Sequence, residues 1–283
     1  MLWILEQIDT LEPEAVLSLL PTISEARRVR VQSMTHVPTR VRSVLAELLL
    51  RHALREEFGL TDPPRIETGE KGKPFFPDRP DLQFSLSHCQ TAVACALAPA
   101  LVGVDVQEVR PLCRAARPLA AASPSLPLEG KVAAPEARTD EVVPRRDGTL
   151  PSASPSLPPE GKVAAPEALT DEVALQARKT LPLYRILSES ERAWVAAGET
   201  SFERDRRFTA VWTCKEAWGK ALGVGFLYDL RSTCFIPNKE IWQQHGFCFT
   251  HLSNTDYELN LCSHEPLPRK SVTFKEIVNE VTL

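Results

Sequence analysis

The chain has 283 residues, 43% apolar and 25% charged, which is enough apolar content for one large core or two ordinary ones. Its formal net charge of −4 argues against a general nucleic-acid binder, and it holds no apolar run of about eighteen residues to cross a membrane. Seven cysteines, an odd number without zinc-type spacing, fit a reducing cytoplasm, which is the expected location.

From the N-terminus, MLWILEQIDTLEPE carries Glu6 and Asp9 within its apolar part and no basic start, so it does not read as a secretory leader. Residues 2–8 are predicted as a short strand, followed by a helix through Leu20. Ser24 is placed to cap a helix over SEARRVRVQSM that presents Arg27, Arg28 and Arg30. Those arginines are a solvated face or a phosphate-binding edge, because guanidinium meets phosphate oxygens in pairs. After Pro38, RVRSVLAELLLRHALREEFG has the clearest helical period, with Val41, Val44, Leu45, Leu48 and Leu49 as its apolar stripe and Gly59 at its end. Arg42 and Ser43 are assigned to its first turn, where free backbone amides favour an anion.

Residues 69–80, GEKGKPFFPDRP, form a turn-rich loop containing Lys71 and Lys73. DLQFSLSH then alternates, with Leu82, Phe84 and Leu86 on one side and Gln83, Ser85 and Ser87 on the other. HCQT turns the chain, TAVACALA returns it, and Pro99–Ala100 turns it again into LVGVDVQ. Three consecutive antiparallel strands are predicted, with ends that bring Ser87, His88 and Asp105 together. The 24 prolines of the chain cluster beyond this point. ASPSLPLEGKVAAPEARTDEVV at 122–143 returns at 153–174, offset by 31 residues and identical at 19 of 22 positions. Two proline-rich copies with few apolar residues cannot stack into a core, so 112–176 reads as a duplicated, largely disordered insert.

Beyond Leu181, ILSESERAWVAAG carries Ser188 and Glu191 at capping-box spacing. FTAVWTCKEAWGKALGVGF at 208–226 is predicted to be helical, then to end in a GVGF loop. Val211, Cys214, Trp218, Ala221 and Leu222 fall on one side of that helix, and Thr213, Glu216 and Lys220 on the other. Glu216 and Lys220, one turn apart, are either an ordinary exposed ion pair or the carboxylate and ammonium of a metal- or phosphate-binding site. STCFI, GFCFTHL, YELNLCS and SVTFKEI are predicted strands of a second sheet. The predicted class is α+β in two similar halves, 1–103 and 104–283, the second interrupted by the insert.

GVDVQ at 103–107 and WTCKEAWGK at 212–220 resemble the two signatures of the 4′-phosphopantetheinyl transferases, approximately (G)(I/V)D(I/V)E and WxxKEAxxK. GKPFFP and FSLSH resemble two further motifs of that superfamily, in the same order. The spacing from Asp105 to Glu216 becomes normal for the family once the insert is removed. The resemblance covers about 1–111 and 177–265, and it is to the Sfp-type branch, which is monomeric and internally doubled.

The resemblance implies an α+β fold whose two halves are related by a pseudo-twofold. It implies a Mg2+-dependent reaction in which a serine of an apo acyl or peptidyl carrier protein attacks the β-phosphate of coenzyme A, takes the phosphopantetheine arm and releases 3′,5′-adenosine bisphosphate. By matching motif positions, Asp105 and Glu216 are implied metal ligands, and Glu216 is also the general base. Lys220 is implied to stabilise phosphate charge, with Lys215 a weaker phosphate contact. Implied coenzyme A contacts are Lys73, Ser87, His88, Arg42 and Ser43, with Arg27, Arg28 and Arg30 where the family has less regular basic residues. One position departs: the acidic residue two after Asp105 is here Gln107, which offers a neutral carbonyl oxygen to the metal or holds a metal-bound water. Two other readings stay open. One is a decayed module that binds coenzyme A or a carrier protein without turnover. The other is a metal-dependent phosphohydrolase, which normally needs more clustered carboxylates or histidines. Fatty-acid, polyketide and peptide carriers are not distinguished, and Arg204, Arg206 and Arg207 are candidates for a surface that meets an acidic carrier.

Overall fold

The computed structural model describes residues 1–70, 72–111, 186–224 and 229–281. In chain order its main elements are β1 (Leu2–Glu6), α1 (Pro13–Leu17), α2 (Glu25–Gln32), α3 (Val37–Phe58), β2 (Glu67–Thr68), β3 (Pro74–Phe75), β4 (Gln83–His88), β5 (Ala92–Ala98) and β6 (Gly103–Glu108). There follow α4 (Glu189–Ala196), α5 (Ser201–Leu222), β7 (Ile241–Gln244), β8 (Phe247–Ser253), β9 (Tyr257–Ser263), β10 (Arg269–Val272) and α6 (Phe274–Val281). The described residues all belong to one unit formed by Met1–Cys113 and Gln176–Leu283. The insert predicted at 112–176 lies outside the described residues.

The organising strand is β5, which is buried along its whole length. Val93, Cys95 and Leu97 enter one apolar cluster, and Ala92, Ala94, Ala96 and Ala98 enter another, the period-two alternation of an extended chain. The first cluster is filled by α3, through Val44, Leu45, Leu48 and Leu49, and by Trp3 and Leu5 of β1. The second joins the alanine face of β5 to Val104 and Val106 of β6 and to Leu259 and Leu261 of β9. Alanines on that face let the two sheets pack closely. Truncating a wholly buried side chain such as Leu45 to alanine is expected to cost about 2–5 kcal/mol.

The class is therefore mixed α and β. One four-stranded sheet has the order β10-β1-β5-β4, and the other β6-β9-β8-β7. Each carries one helix of 22 residues: α3 packs on β5, β4 and β1, and α5 on β6, β9 and β8. Both helices end on a glycine with φ 66°, Gly59 and Gly223, a backbone state that glycine adopts without a Cβ clash.

Three sequence expectations need correction. β6 does not extend an N-terminal meander, because both edges of β5 are already taken by β1 and β4, so it pairs with β9 instead. STCFI at 232–236 is not a strand. Its main chain is held by side chains: Phe235 N donates to Glu191 Oε1, Thr233 O accepts from Lys215 Nζ, and Cys234 O accepts from Gln244 Nε2. SVTFKEI is divided, its first residues ending β10, which lies parallel to β1, and its remainder opening α6. Thr273 and Glu276 exchange hydrogen bonds at that boundary in the pattern of a capping box.

Candidate active site

The two sheets meet at a cleft where β4 and β6 lie edge to edge. The outward N–H groups of β6 are not left open there: Val104 N donates to Ser85 Oγ at 3.0 Å and Val106 N to Ser87 Oγ at 3.2 Å. The alternating serines of FSLSH thus stitch one sheet to the other. From the far side α5 approaches the same seam, and Gly103 is what lets it. A Cβ at Gly103 would lie 2.0 Å from Ala217 O and 2.4 Å from Ala221 N, so strand and helix main chains touch only because no side chain intervenes.

That contact fixes the relation between Asp105, two residues along β6 on the same face, and Glu216 and Lys220 of α5. Asp105 is 2% exposed. Its Oδ1 accepts from Ser87 Oγ at 2.8 Å and from Lys220 Nζ at 2.6 Å, and its Oδ2 accepts from Gln107 Nε2 at 3.5 Å. Lys220 also donates to Val104 O at 3.0 Å. Glu216 is half-buried in the same cleft. Burial first, and the charge of Asp105 second, push its pKa from 4.5 up to about 7, with Lys220 opposing. A half-buried carboxylate raised in pKa beside a second carboxylate, in a cleft, marks this as a candidate functional site.

The cleft encloses about 710 Å³, and Arg27, Arg30 and Lys73 line its cationic side. Lys73 Nζ donates to Ala221 O in the last turn of α5 at 2.8 Å and to Val102 O, just before β6, at 3.4 Å, and burial lowers its pKa. His88 stands at the mouth. It is exposed at the strand end, and the desolvating rim of the cleft first, then the charges of Arg42, Lys220 and Arg27, lower its pKa from the ordinary imidazole value. A second groove, of about 680 Å³, is lined by Glu6, His251 and Tyr257. There His251 meets Glu258 at 2.6 Å and Tyr257 donates to Glu6 at 2.6 Å.

Of the residues singled out in the sequence, Lys73, Ser87, His88, Asp105, Gln107, Glu216 and Lys220 line the one cleft. Lys215 does not. Its side chain is wholly buried, with Nζ 2.9 Å from Glu191 Oε1 and donating to Leu230 O and Thr233 O, because neighbours on a helix point about 100° apart. Ser43 is 4% exposed within α3 and does not line the cleft, and neither does Arg42, which donates to Thr39 Oγ1 at 3.2 Å. The expected first turn is misplaced, since α3 begins at Val37 and the N–H groups at 42 and 43 lie beyond its opening turn. Arg28 pairs instead with Glu25. Sequence reasoning passed over Ser85, Gly103 and Glu47, the last hidden inside the apolar run LAELLL.

Asp105, Glu216 and Gln107 present oxygen donors only, the chemistry that suits a hard divalent cation. Among the described residues no group of three or more His, Cys, Asp or Glu is gathered as a metal site. An ion here would rest on two carboxylates and neutral oxygens.

A family model described as the 4′-phosphopantetheinyl transferase superfamily matches residues 172–272. That match covers just over a third of the chain, and over it the chain is similar to that superfamily. Among curated relatives, it is 30% identical over 95 residues to a Bacillus subtilis 4′-phosphopantetheinyl transferase, covering 33% of this chain and 42% of that one. It is 31% identical over 91 residues to the 4′-phosphopantetheinyl transferase Sfp of Bacillus subtilis strain 168, covering 32% and 41%. It is 33% identical over 95 residues to the 4′-phosphopantetheinyl transferase psf-1 of Bacillus pumilus, covering 33% and 41%. The matches thus span about two fifths of the length of these relatives. The superfamily match takes in Glu216 and Lys220 but not Asp105 or Ser87, so the fold, not the match, brings those two to the helix. No helix among the described residues is long and apolar enough to cross a membrane.

Proposed function

We propose that the chain transfers the 4′-phosphopantetheine arm of coenzyme A to a serine of an apo acyl or peptidyl carrier protein, with Mg2+, releasing 3′,5′-adenosine bisphosphate. The observation that carries the reading is the pairing of Asp105 with Glu216 and Lys220 in one cleft beside the cationic Arg27, Arg30 and Lys73. Coenzyme A carries a further phosphate on its nucleotide end, away from the reacting pyrophosphate, and that wall is suited to seat it. Mg2+, held by Asp105, Glu216 and Gln107, supplies further charge neutralisation at the phosphates when bound.

The remaining work falls to the chain. Ser87, by donating to Asp105 Oδ1, sets the carboxylate's orientation and leaves Oδ2 toward Gln107. Lys220 is fixed by Asp105 and Val104 O, which holds its ammonium at the phosphates. Glu216, with a pKa of about 7, takes the proton from the attacking serine hydroxyl. His88 offers its imidazole at the mouth for the nucleotide end of coenzyme A. The same proposal includes two halves, 1–103 and 104–283, related by a pseudo-twofold. It is supported by one 22-residue helix on each four-stranded sheet, while β10, from the second half of the chain, joins the first sheet. A monomer working in the cytoplasm completes the reading.

The test is to incubate the protein with coenzyme A, Mg2+ and a panel of apo carrier proteins, and to weigh the carriers. One phosphopantetheine mass is expected on at least one carrier, and none with Glu216→Gln. Coenzyme A binding with no mass gain on any carrier points to a binding module instead.

A further inference from the structure

We infer that Glu47 is a positioning residue for the anionic ligand of the cleft, holding Arg27 and the first turn of α2 against α3. The inference rests on the transfer reading, since it takes coenzyme A as that ligand. Glu47 is 2% exposed and lies on α3 between Ala46 and Leu48, both in the core. A bare carboxylate is not tolerated at such depth. Its oxygens instead gather Ser24 N at 2.5 Å, Ser24 Oγ at 2.8 Å, Arg51 Nη2 at 3.1 Å and Arg27 Nε at 3.5 Å.

Ser24 is the N-cap of α2, and its Oγ also accepts from Arg27 N at 3.4 Å. One carboxylate on α3 therefore fixes both the main chain where α2 begins and the guanidinium of its third residue. Apolar packing does little of this, because α2 has eight residues and buries only Val31. Arg27, Arg30 and Glu47 all line the cleft, and the Arg27 side chain keeps 23% of its surface exposed. Arg27 is thus oriented before any ligand arrives, and the entropy of ordering a long side chain is not charged against binding. The Asp105–Glu216 end of the cleft does not depend on this tie. Loss of Glu47 should therefore weaken ligand binding and spare the chemical step, a rise in KM with kcat retained.

The experiment measures kcat and KM for coenzyme A in the carrier-modification assay, and Kd for coenzyme A by calorimetry. It compares the wild type, Glu47→Gln, Arg27→Met and the double variant. Each single variant is expected to raise KM and Kd roughly fivefold or more, with kcat within about twofold of the wild type. The double variant should be no worse than Arg27→Met, because Glu47 acts through Arg27, whereas a merely structural role would add. If Glu47→Gln fails to fold, Ser24→Ala loosens the same tie from the α2 side and should raise Kd by a smaller factor. Unchanged KM and Kd in these variants, or additive losses in the double, overturn the inference and leave the transfer reading standing. A wild type that binds no coenzyme A and modifies no carrier overturns both.

Discussion

Replacing Glu216 by glutamine should make the protein more stable at neutral and alkaline pH while ending its activity. Burial and the charge of Asp105 raise the pKa of this carboxyl from 4.5 to about 7. An acid whose folded pKa lies above its unfolded value stabilises the fold only while protonated. That contribution is fully present below the unfolded value and is progressively lost as pH rises from 4.5 to about 7. A shift of that size corresponds to about 3 kcal/mol, and screening at a half-buried site reduces it to about 1–2 kcal/mol. Urea unfolding in the presence of a chelator, at about pH 8 and about pH 5, measures it for the wild type and Glu216→Gln. The variant should gain about 1–2 kcal/mol at the higher pH, roughly 3–6 °C in Tm, and much less at the lower. A variant less stable than the wild type at the higher pH, or a difference independent of pH, refutes the claim that Glu216 shares a desolvated cleft with the charge of Asp105.

Other substitutions probe the surrounding frame. Gly103→Ala forces a methyl into the Ala217 and Ala221 main chain, so urea midpoints should fall by an amount equivalent to about 1–3 kcal/mol, and carrier modification should fall further than stability; a variant active and stable as the wild type contradicts the close approach. Lys215→Ala leaves Glu191 buried without its ammonium partner, and unfolding free energy should drop by about 3–5 kcal/mol. Its affinity for coenzyme A, measured well below the melting point, should be unchanged; a large loss of binding would return Lys215 to the ligand site. Gln107→Glu should lower the Mg2+ concentration that supports half-maximal transfer, and no change in that titration counts against Gln107 lying near the metal.

Periodicity carried most of the elements into view. The stripes of α3 and α5, the alternation of β4, and the runs that became β8 and β9 were all readable because each signal is local. The partner of β6 was not, since it lies about 150 residues away at β9 and is decided by β5 having no free edge. The segment 232–236 misled for a related reason: its apolar residues are real core, with Phe235 wholly buried, but side chains from α4, α5 and β7 replace the strand neighbour. The start of α6 was legible in Thr273-x-x-Glu276 and passed over for the apolar alternation beside it.

In the cleft, motif order pointed to Asp105, Glu216, Lys220, Lys73, Ser87 and His88, which the fold brings together. Lys215 was drawn in by its place in the WxxKEAxxK motif, although a helix turns it away from its neighbour Glu216. Glu47 stayed hidden because a charged residue in an apolar stripe discloses its role only through partners such as Ser24 and Arg27, more than a helix away in sequence. The supports of the site, Ser85 and Gly103, are small residues whose importance is a matter of which main chain comes close.

The most direct measurement is a stoichiometry. With an apo carrier in limiting amount, the wild-type protein, coenzyme A and Mg2+, both the modified carrier and the free 3′,5′-adenosine bisphosphate are quantified over time. Group transfer predicts that the two rise together, one nucleotide for each carrier modified, and stop when the carrier is exhausted. Nucleotide that continues to appear without modified carrier, or neither product from any carrier despite bound coenzyme A, contradicts the account.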